Sequence, residues 1–365
     1  MSEPSREAVE RALQGVIDPH LETDLLSAGC VEGIEIDGDR VHLAIALGYP
    51  AEGYREALAE ALREAVRGVA GVADATVEVS SRIHAHAVQP GLKGLEQVKN
   101  VIAVASGKGG VGKSTVAANL ALALQAEGAR VGVLDADIYG PSQPRMLGVR
   151  GQPESPDGTH MTPLDGHGLQ VISAGFLIDE ETPMIWRGPM VTKALEQLVS
   201  ETLWEGLDYL VVDLPPGTGD VQLTLAQKVP VSGGVIITTP QDIALLDARK
   251  GLRMFEKVNV PVLGIIENMG THICSHCGHE EAIFGAGGGE QMAAQYGVGL
   301  LGSLPLDIRI REQADSGCPT VLADPQSRIA EDYRRIARRT AAQLSLRERS
   351  SGSAFPNIAV SGGGQ

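Results

Sequence analysis

Nine residues, Gly107 to Thr115 (GKGGVGKST), constrain this chain more than any other stretch of it. Gly107, Gly112, Lys113 and Ser114 occupy every fixed position of the pattern G-x-x-x-x-G-K-[ST]. An aliphatic run, Val101–Ala105, precedes the pattern and a helical pattern follows it, the strand–loop–helix setting that a phosphate-binding loop needs. Glycines allow successive backbone N–H groups to turn toward one anion, and a helix opening near Lys113 adds the positive end of its dipole. Gly109, Gly110 and Val111 are therefore expected to line a polyphosphate nest. Lys113 is expected to bridge β- and γ-phosphates, the Ser114 hydroxyl to ligate Mg²⁺, and Thr115 to steady the α-phosphate.

The rest of the chain supplies a sheet for such a loop. Short aliphatic runs recur at Val101–Ala105, Val131–Asp135, Leu169–Ser173, Tyr209–Asp213, Gly234–Thr238, Val262–Glu267 and Leu300–Leu304, with longer helical patterns between them. Continuous apolar runs such as VIAVA and VIITT mark strands buried on both faces. Their alternation with helices predicts an α/β fold with a doubly wound, mostly parallel sheet over residues 98–345. Residues 1–80 read as a separate small α/β unit. Ser5–Gly15 has helical spacing, Val31–Ile36 and Val41–Leu47 flank the turn dipeptide Asp37-Gly38, Tyr54–Val66 is helical, and Ala75–Val79 alternates as a strand. Residues 81–97, with Pro90, Gly91 and Gly94, read as a linker in which His84 and His86 are expected to be solvated. Residues 346–365 read as a Gly/Ser-rich flexible tail.

Composition narrows the partners. The 365 residues carry a formal charge of −16, which disfavours nucleic acid or an anionic membrane as a main partner. Aromatic residues make up only 3%, too few for base-stacking platforms. No apolar run approaches the roughly 20 residues that span a bilayer, and the N-terminus MSEPSREAVERAL has a charged amphipathic pattern without a signal-peptide core. A cytoplasmic location is expected.

The chain has four cysteines, and two of them, Cys274 and Cys277, form a CxxC within ENMGTHICSHCGHEEAIFGAGGG. Such a pair can bind Zn²⁺, hold an iron–sulfur cluster or cycle as a dithiol. His276 and His279 lie close by, yet zinc fingers place their histidines on a separate helix. Gly278 and its polar neighbours indicate a loop, where a thioredoxin-like motif would open a helix. A [4Fe–4S] cluster usually takes four thiolates, so one CxxC supplies half, and a two-fold dimer would bring two halves together. Cys30, in the other unit, and Cys318, in a Ser-Gly-Cys-Pro turn, are expected to stay unliganded.

Acidic residues fall where ligands of a doubly wound sheet lie, at the carboxyl ends of strands. Asp135 and Asp137 end VGVLDAD, and Asp213 ends YLVVD. Carboxylates at such places can hold the water shell of Mg²⁺ or orient the water that attacks a γ-phosphate.

Lys108, directly after the first glycine, resembles the signature lysine of the deviant Walker A class, which includes the nitrogenase iron protein, MinD and ParA. GKGGVGKST, DADIYGPSQP, WRGPM (Trp186–Met190), DYLVVDLPPGTGD, ENM…CSHCGH…IFG…GGGE and LPLDIRIRE together closely resemble the Mrp/ApbC family of iron–sulfur cluster carrier ATPases, over about residues 98–345. Residues 1–80, with DPHLETDLLSAGCVEGIEI, resemble the small iron–sulfur assembly domain often fused in front of that ATPase. They lack the cysteine that relatives show after the second strand, where this chain has Gly48–Gly53 (GYPAEG), so protein docking is the implied role. Asp18 and Cys30 are the residues left there for chemistry.

The resemblance implies a homodimer that binds ATP, hydrolyses it slowly, and holds a transferable [4Fe–4S] cluster for apo iron–sulfur proteins and assembly scaffolds. It implies that Lys108 reaches the nucleotide of the partner subunit, that Asp137 orients water, and that Asp135 and Asp213 serve the Mg²⁺ shell. Pro215–Gly219 would be the switch loop sensing the γ-phosphate, and Asn268, Pro305 and Asp307 would recognise adenine. A MinD- or ParA-like positioning ATPase and a zinc-stapled regulatory NTPase are the alternatives. The tail lacks the basic amphipathic helix that the MinD role needs.

Overall fold

The computed structural model describes residues 4–176, 188–274 and 276–349. In chain order, the N-terminal elements are α1 (Arg6–Gln14), β1 (Ile17–Asp18), β2 (Thr23–Asp24), β3 (Val31–Asp37), β4 (Arg40–Leu47), α2 (Arg55–Arg67) and β5 (Asp74–Ser81). Then follow β6 (Val98–Ser106), α3 (Lys113–Ala126), β7 (Val131–Asp135), α4 (Gln143–Met146), β8 (Leu164–Gly166), β9 (Leu169–Ser173), α5 (Gly188–Ser200), β10 (Leu207–Asp213), α6 (Asp220–Lys228), β11 (Gly233–Thr238) and α7 (Asp242–Lys257). The chain continues through β12 (Val262–Glu267), β13 (His272–Ile273), β14 (Glu280–Glu281), α8 (Gly288–Tyr296), β15 (Leu300–Ser303), α9 (Ile308–Asp315), α10 (Thr320–Ala323) and α11 (Arg328–Ser345).

An eight-stranded sheet in the order β15-β12-β11-β6-β10-β7-β9-β8 carries the main body. Every neighbouring pair is parallel except β8–β9 at one edge. The aliphatic runs explain the centre. Every residue of β7, β10 and β11 is buried, because helices cover both faces. α3 is also enclosed almost all round, with Val116 to Leu124 buried in an unbroken run of Ala, Leu, Val and Asn. The sheet β3-β4-β5 mixes an antiparallel hairpin with a parallel pair and carries α2.

The small unit seats on the far end of α3 and on α11. Gly53 N–H donates to Glu127 Oε2 (2.9 Å) and Glu52 N–H to the Glu127 carbonyl (3.2 Å). The Arg338 guanidinium lies 5.7 Å from the Tyr54 ring centroid, a cation–π distance. Glu127 is buried at a helix C-terminus, and burial raises its carboxyl above the usual range, with Arg338 working against that.

Residues 82–97 correct one expectation. They form little regular structure, but His86 is only 5% exposed, with its backbone N–H and Nδ1 on Asn100 Oδ1. Gln89 is also buried, donating to the carbonyls of Ala226 and Val229 and accepting from Val231 N–H. The segment is pinned because these polar side chains satisfy otherwise orphaned backbone groups. Trp186 and Arg187 of the WRGPM motif, and the tail from Ser350, lie outside the described residues.

Candidate functional site: a phosphate loop and a cysteine hairpin

β6 runs into the loop at its carboxyl end, and α3 begins at Lys113. Gly112 has φ 80°, and Gly110 φ 81°, left-handed values that glycine adopts without strain. Gly107 has no room for a side chain, since a Cβ there would collide with the Asp247 backbone in the first turns of α7. A cavity of about 240 Å³ opens over this loop. Its walls bring together Lys108, Gly109, Gly110, Gly112, Lys113, Ser114, Thr115 and Asp137, with Pro216 of the expected switch segment at the edge. Gly217 N–H ties that segment to the Ser106 carbonyl at 2.9 Å.

Lys113 Nζ pairs with Asp213 Oδ1 and also bonds Ser114 Oγ (3.2 Å). Asp135 and Asp213 stand opposite each other in the β7–β10 register, and both are fully buried. Burial pushes the Asp135 carboxyl up first, and the neighbouring Asp213 carboxylate adds to it. Asp135 accepts from the backbone N–H groups of Asp137, Ser142 and Gln143 and from Ser173 Oγ, so it anchors the loop after β7. Asp137 itself faces the cavity. Burial raises its carboxyl, against the pull of Lys113. Three acids around one buried lysine leave an excess of negative charge, and a divalent cation offsets that cost where a hydroxyl and carboxylates meet. Ser114 Oγ and Asp213 are the groups that could hold it, with Asp135 beside Asp213.

A second cavity, about 380 Å³, continues from the first past Gly112, Thr115 and Met146. Asn268, Met269, Pro305, Leu306 and Asp307 line it, which places the expected base-recognising residues together. Asn268 Nδ2 donates to the Val111 carbonyl (2.9 Å), so its amide is tied to the phosphate loop. Asp307 caps α9 and pairs with Arg309, which holds its carboxyl below the usual range.

The CxxC lies on the turn of the short antiparallel hairpin β13–β14. Cys274 N–H donates to the His279 carbonyl, and Gly278 N–H to the Cys274 carbonyl, both at 2.9 Å. Cys274 is half-buried, while Cys277, His276 and His279 are exposed. Backbone N–H groups of Cys277 and then His276 hold the Cys274 thiol below the usual range. Among the described residues, no three His, Cys, Asp or Glu side chains converge as a metal site. Cys30 is buried and burial raises its thiol; Cys318 is half-buried. Asp18 is fully engaged by the N–H groups of His20 and Leu21 and by the Tyr49 hydroxyl, and caps a turn.

Sequence reasoning did not find the connections between these parts. The base loop is bonded straight to the cysteine hairpin: Leu306 N–H donates to the Thr271 carbonyl (2.6 Å), and His272 Nδ1 lies 3.1 Å from the Leu306 carbonyl. A carbonyl only accepts, so Nδ1 carries the proton. Glu267 closes the same corner, accepting from Gly289 N–H (2.6 Å). Gln143 and Met146 of α4 were also missed. A polar residue and a methionine in a loop motif carry no periodic signal that would have singled them out.

The comparisons agree with this geometry. The pattern of the family described as NUBPL iron-transfer P-loop NTPase matches residues 97–341, and that of the iron–sulfur cluster assembly protein family matches residues 6–79. An "iron-sulfur cluster carrier protein" of Pseudomonas fragi is 62% identical over 76% of this chain and 97% of its own length. A protein of the same description from Haemophilus influenzae is 51% identical over 92% of this chain and 91% of its own. Among solved structures, a nucleotide-binding protein of Archaeoglobus fulgidus in complex with ADP is 34% identical, with a TM-score of 0.56 over 65% of this chain and 91% of that one. With two thirds of its length in one match and a second match in front, the chain belongs to the NUBPL iron-transfer P-loop NTPase family and carries an iron–sulfur cluster assembly domain at its N-terminal side.

Proposed function

We propose that this chain is an ATP-hydrolysing iron–sulfur cluster carrier. As a homodimer in the cytoplasm, it holds a [4Fe–4S] cluster on two Cys274/Cys277 pairs and passes it to apo iron–sulfur proteins from assembly scaffolds. The observation that carries this reading is a cysteine pair, half-buried Cys274 and exposed Cys277, on a hairpin hydrogen-bonded to the Pro305–Asp307 loop beside the phosphate-loop cavity.

Half a ligand set per chain favours pairing across a two-fold axis. Tyr139, Ile243 and Leu246 are exposed apolar side chains, two of them on the helix that packs against Gly107, and suit a partner face beside the nucleotide. Lys108 lines the cavity wall, which supports the reading that it reaches across such a face. The charge of −16 and the lack of a helix long and apolar enough to cross a membrane among the described residues fit protein partners over nucleic acid or lipid.

In hydrolysis, Lys113 leaves Asp213 for the β- and γ-phosphates and stabilises the charge that develops there. Asp137 orients the attacking water, and Asn268, Pro305 and Asp307 seat the adenine. Ser114 and Asp213 would hold Mg²⁺, with Asp135 supporting its water shell, and the ion would supply neutralisation of phosphate charge. Pro215–Gly219 senses the γ-phosphate. The N-terminal unit, residues 1–80, serves docking, and residues 81–97 join it to the ATPase unit of residues 98–345.

Anaerobic reconstitution with iron and sulfide tests the whole reading. One cluster per two chains is expected, with charge-transfer absorbance that disappears in Cys274→Ala and in Cys277→Ala. Full clusters in both variants, or stoichiometric zinc without iron uptake, would overturn it.

A further inference from the structure

We infer that Gln143 is a positioning residue for the nucleotide site, setting the Asp213 carboxylate that serves Mg²⁺. The inference rests on the proposed role of Asp213. Gln143 opens the short helix α4 and is fully buried although its side chain is an amide. Nothing in that amide is spent on solvent. Nε2 donates to Asp213 Oδ2 and to the Ser114 carbonyl, each at 2.9 Å, while the backbone N–H donates to Asp135 Oδ2 at 3.0 Å. One residue therefore joins the ends of β7 and β10 to the first turn of α3.

The distribution of donors on Asp213 gives the amide its role. Oδ1 faces Lys113 and Oδ2 faces Gln143. When Lys113 moves to the phosphates, the Gln143 amide is the side-chain donor that remains on Asp213, and it decides where the freed lone pairs aim. A neutral donor suits this position. A lysine or arginine would compete with the cation for Asp213, and a glutamate would add a third carboxylate to a buried pair. Oε1 of Gln143 is also buried and finds no hydrogen-bond donor among the described residues. Such an acceptor is costly to leave unpaired, and the hydrated cation next to Asp213 is a source of donors. Met146, three residues on, lines both cavities, so the end of α4 reaches them as well.

The test is the binding of a fluorescent ADP analogue to the full chain, titrated with Mg²⁺, in Gln143→Met, Gln143→Glu and Gln143→Asn. The Mg²⁺-free affinity should stay within about twofold of the parent. The Mg²⁺ concentration that strengthens binding should rise about tenfold for Met, where one charge-assisted hydrogen bond is lost, more for Glu, and less for Asn, whose shorter amide keeps a donor. A packing role predicts the reverse, with Glu, the closest in shape, behaving as the parent. That result, or an unchanged Mg²⁺ requirement in all variants, overturns the inference. If Met fails to fold, the order of Asn and Glu decides alone. Asp213→Asn, run alongside, separates the two claims. A raised Mg²⁺ requirement there without one in the Gln143 variants removes only the role of Gln143, and an unchanged requirement removes both.

Discussion

The phosphate loop and the cysteine hairpin are opposite kinds of site. Around the loop, Asp135 and Asp213 are buried at the ends of neighbouring strands, Lys113 is buried at the start of α3, and hydrogen bonds hold all three. The cysteines sit on a turn between two-residue strands, and Cys277 faces solvent. The first site is framed by the strand ends and the glycine loop before its ligand arrives, with Lys113 resting on Asp213. The second is open to solvent, which suits the transfer of a cluster proposed for it. Burying an unpaired charge is expensive and exposing a thiol is cheap, so damage to the two sites should have different thermodynamic signatures.

Lys113→Ala should show the largest effect. Removing a group that stabilises transition-state charge costs about 10²–10³ in turnover, and ATP hydrolysis should fall at least that far. It also leaves Asp213 buried without its cation, a loss of about 3–5 kcal/mol when one partner of a buried pair is removed. Denaturant unfolding of the nucleotide-free protein reads that cost. Turnover lost with stability unchanged would show that the Lys113–Asp213 pair is not formed before nucleotide binds.

Cys274→Ala should do the converse. Cluster occupancy should fall by at least about tenfold, while stability stays within the roughly 0.5 kcal/mol typical of surface changes and ADP affinity is unaltered. In the metal-free protein, iodoacetamide should modify Cys274 faster than the buried Cys30, by about tenfold or more, because the thiolate is the reactive form. Peptide mapping by mass spectrometry checks both sites. Equal rates would mean that the backbone N–H groups around Cys274 do not hold the thiolate.

Gly112→Ala probes the border between the regions. Gly112 has φ 80°, which costs an alanine about 1–2 kcal/mol, and its Cβ would displace the Asn268 amide from its contact at the loop. ADP affinity should drop several-fold, along with a stability loss near that size. A variant with parental ADP affinity would detach Asn268 from nucleotide recognition.

How much of this was legible in the sequence follows the same division. Strands β7, β9 and β12 fall on the residue ranges expected, because strands buried on both faces must be written in unbroken aliphatic residues. The phosphate loop was legible because its glycines and lysine have fixed spacing. The hairpin β13–β14 was not, since Glu280–Glu281 forms a strand with no apolar residue. Gln143, Gln89 and His86 were unreadable for one shared reason. Gln143 and Gln89 are buried by satisfying distant backbone or carboxylate groups and His86 by the Asn100 side-chain amide, and hydropathy scores all three as surface. The CxxC gave no sign of its connection to the loop at Pro305–Asp307, which runs through one backbone hydrogen bond and the His272 ring.

That connection carries the smallest effect expected, and the one that bears most on function. From Asn268, bonded to Val111 of the phosphate loop, the chain reaches Cys274 in six residues. On the way, His272 grips the Leu306 carbonyl of the base loop. If nucleotide and cluster influence each other, this is a direct covalent and hydrogen-bonded route between their proposed sites within one chain. Thermodynamic linkage then requires the influence to be reciprocal. A single neutral hydrogen bond is worth about 0.5–1.5 kcal/mol net, so His272→Ala should weaken the coupling by about threefold. It should leave cluster content and ADP affinity, each measured alone, close to the parent. The measurement is the ADP dissociation constant with and without reconstituted cluster, in the parent and in His272→Ala. A coupling factor unchanged by the substitution would move the route elsewhere, to the switch segment at Pro215–Gly219 or to the face between subunits. A coupling reduced while both separate affinities hold would make the hairpin an extension of the nucleotide site, and the contrast between the regions one of exposure alone.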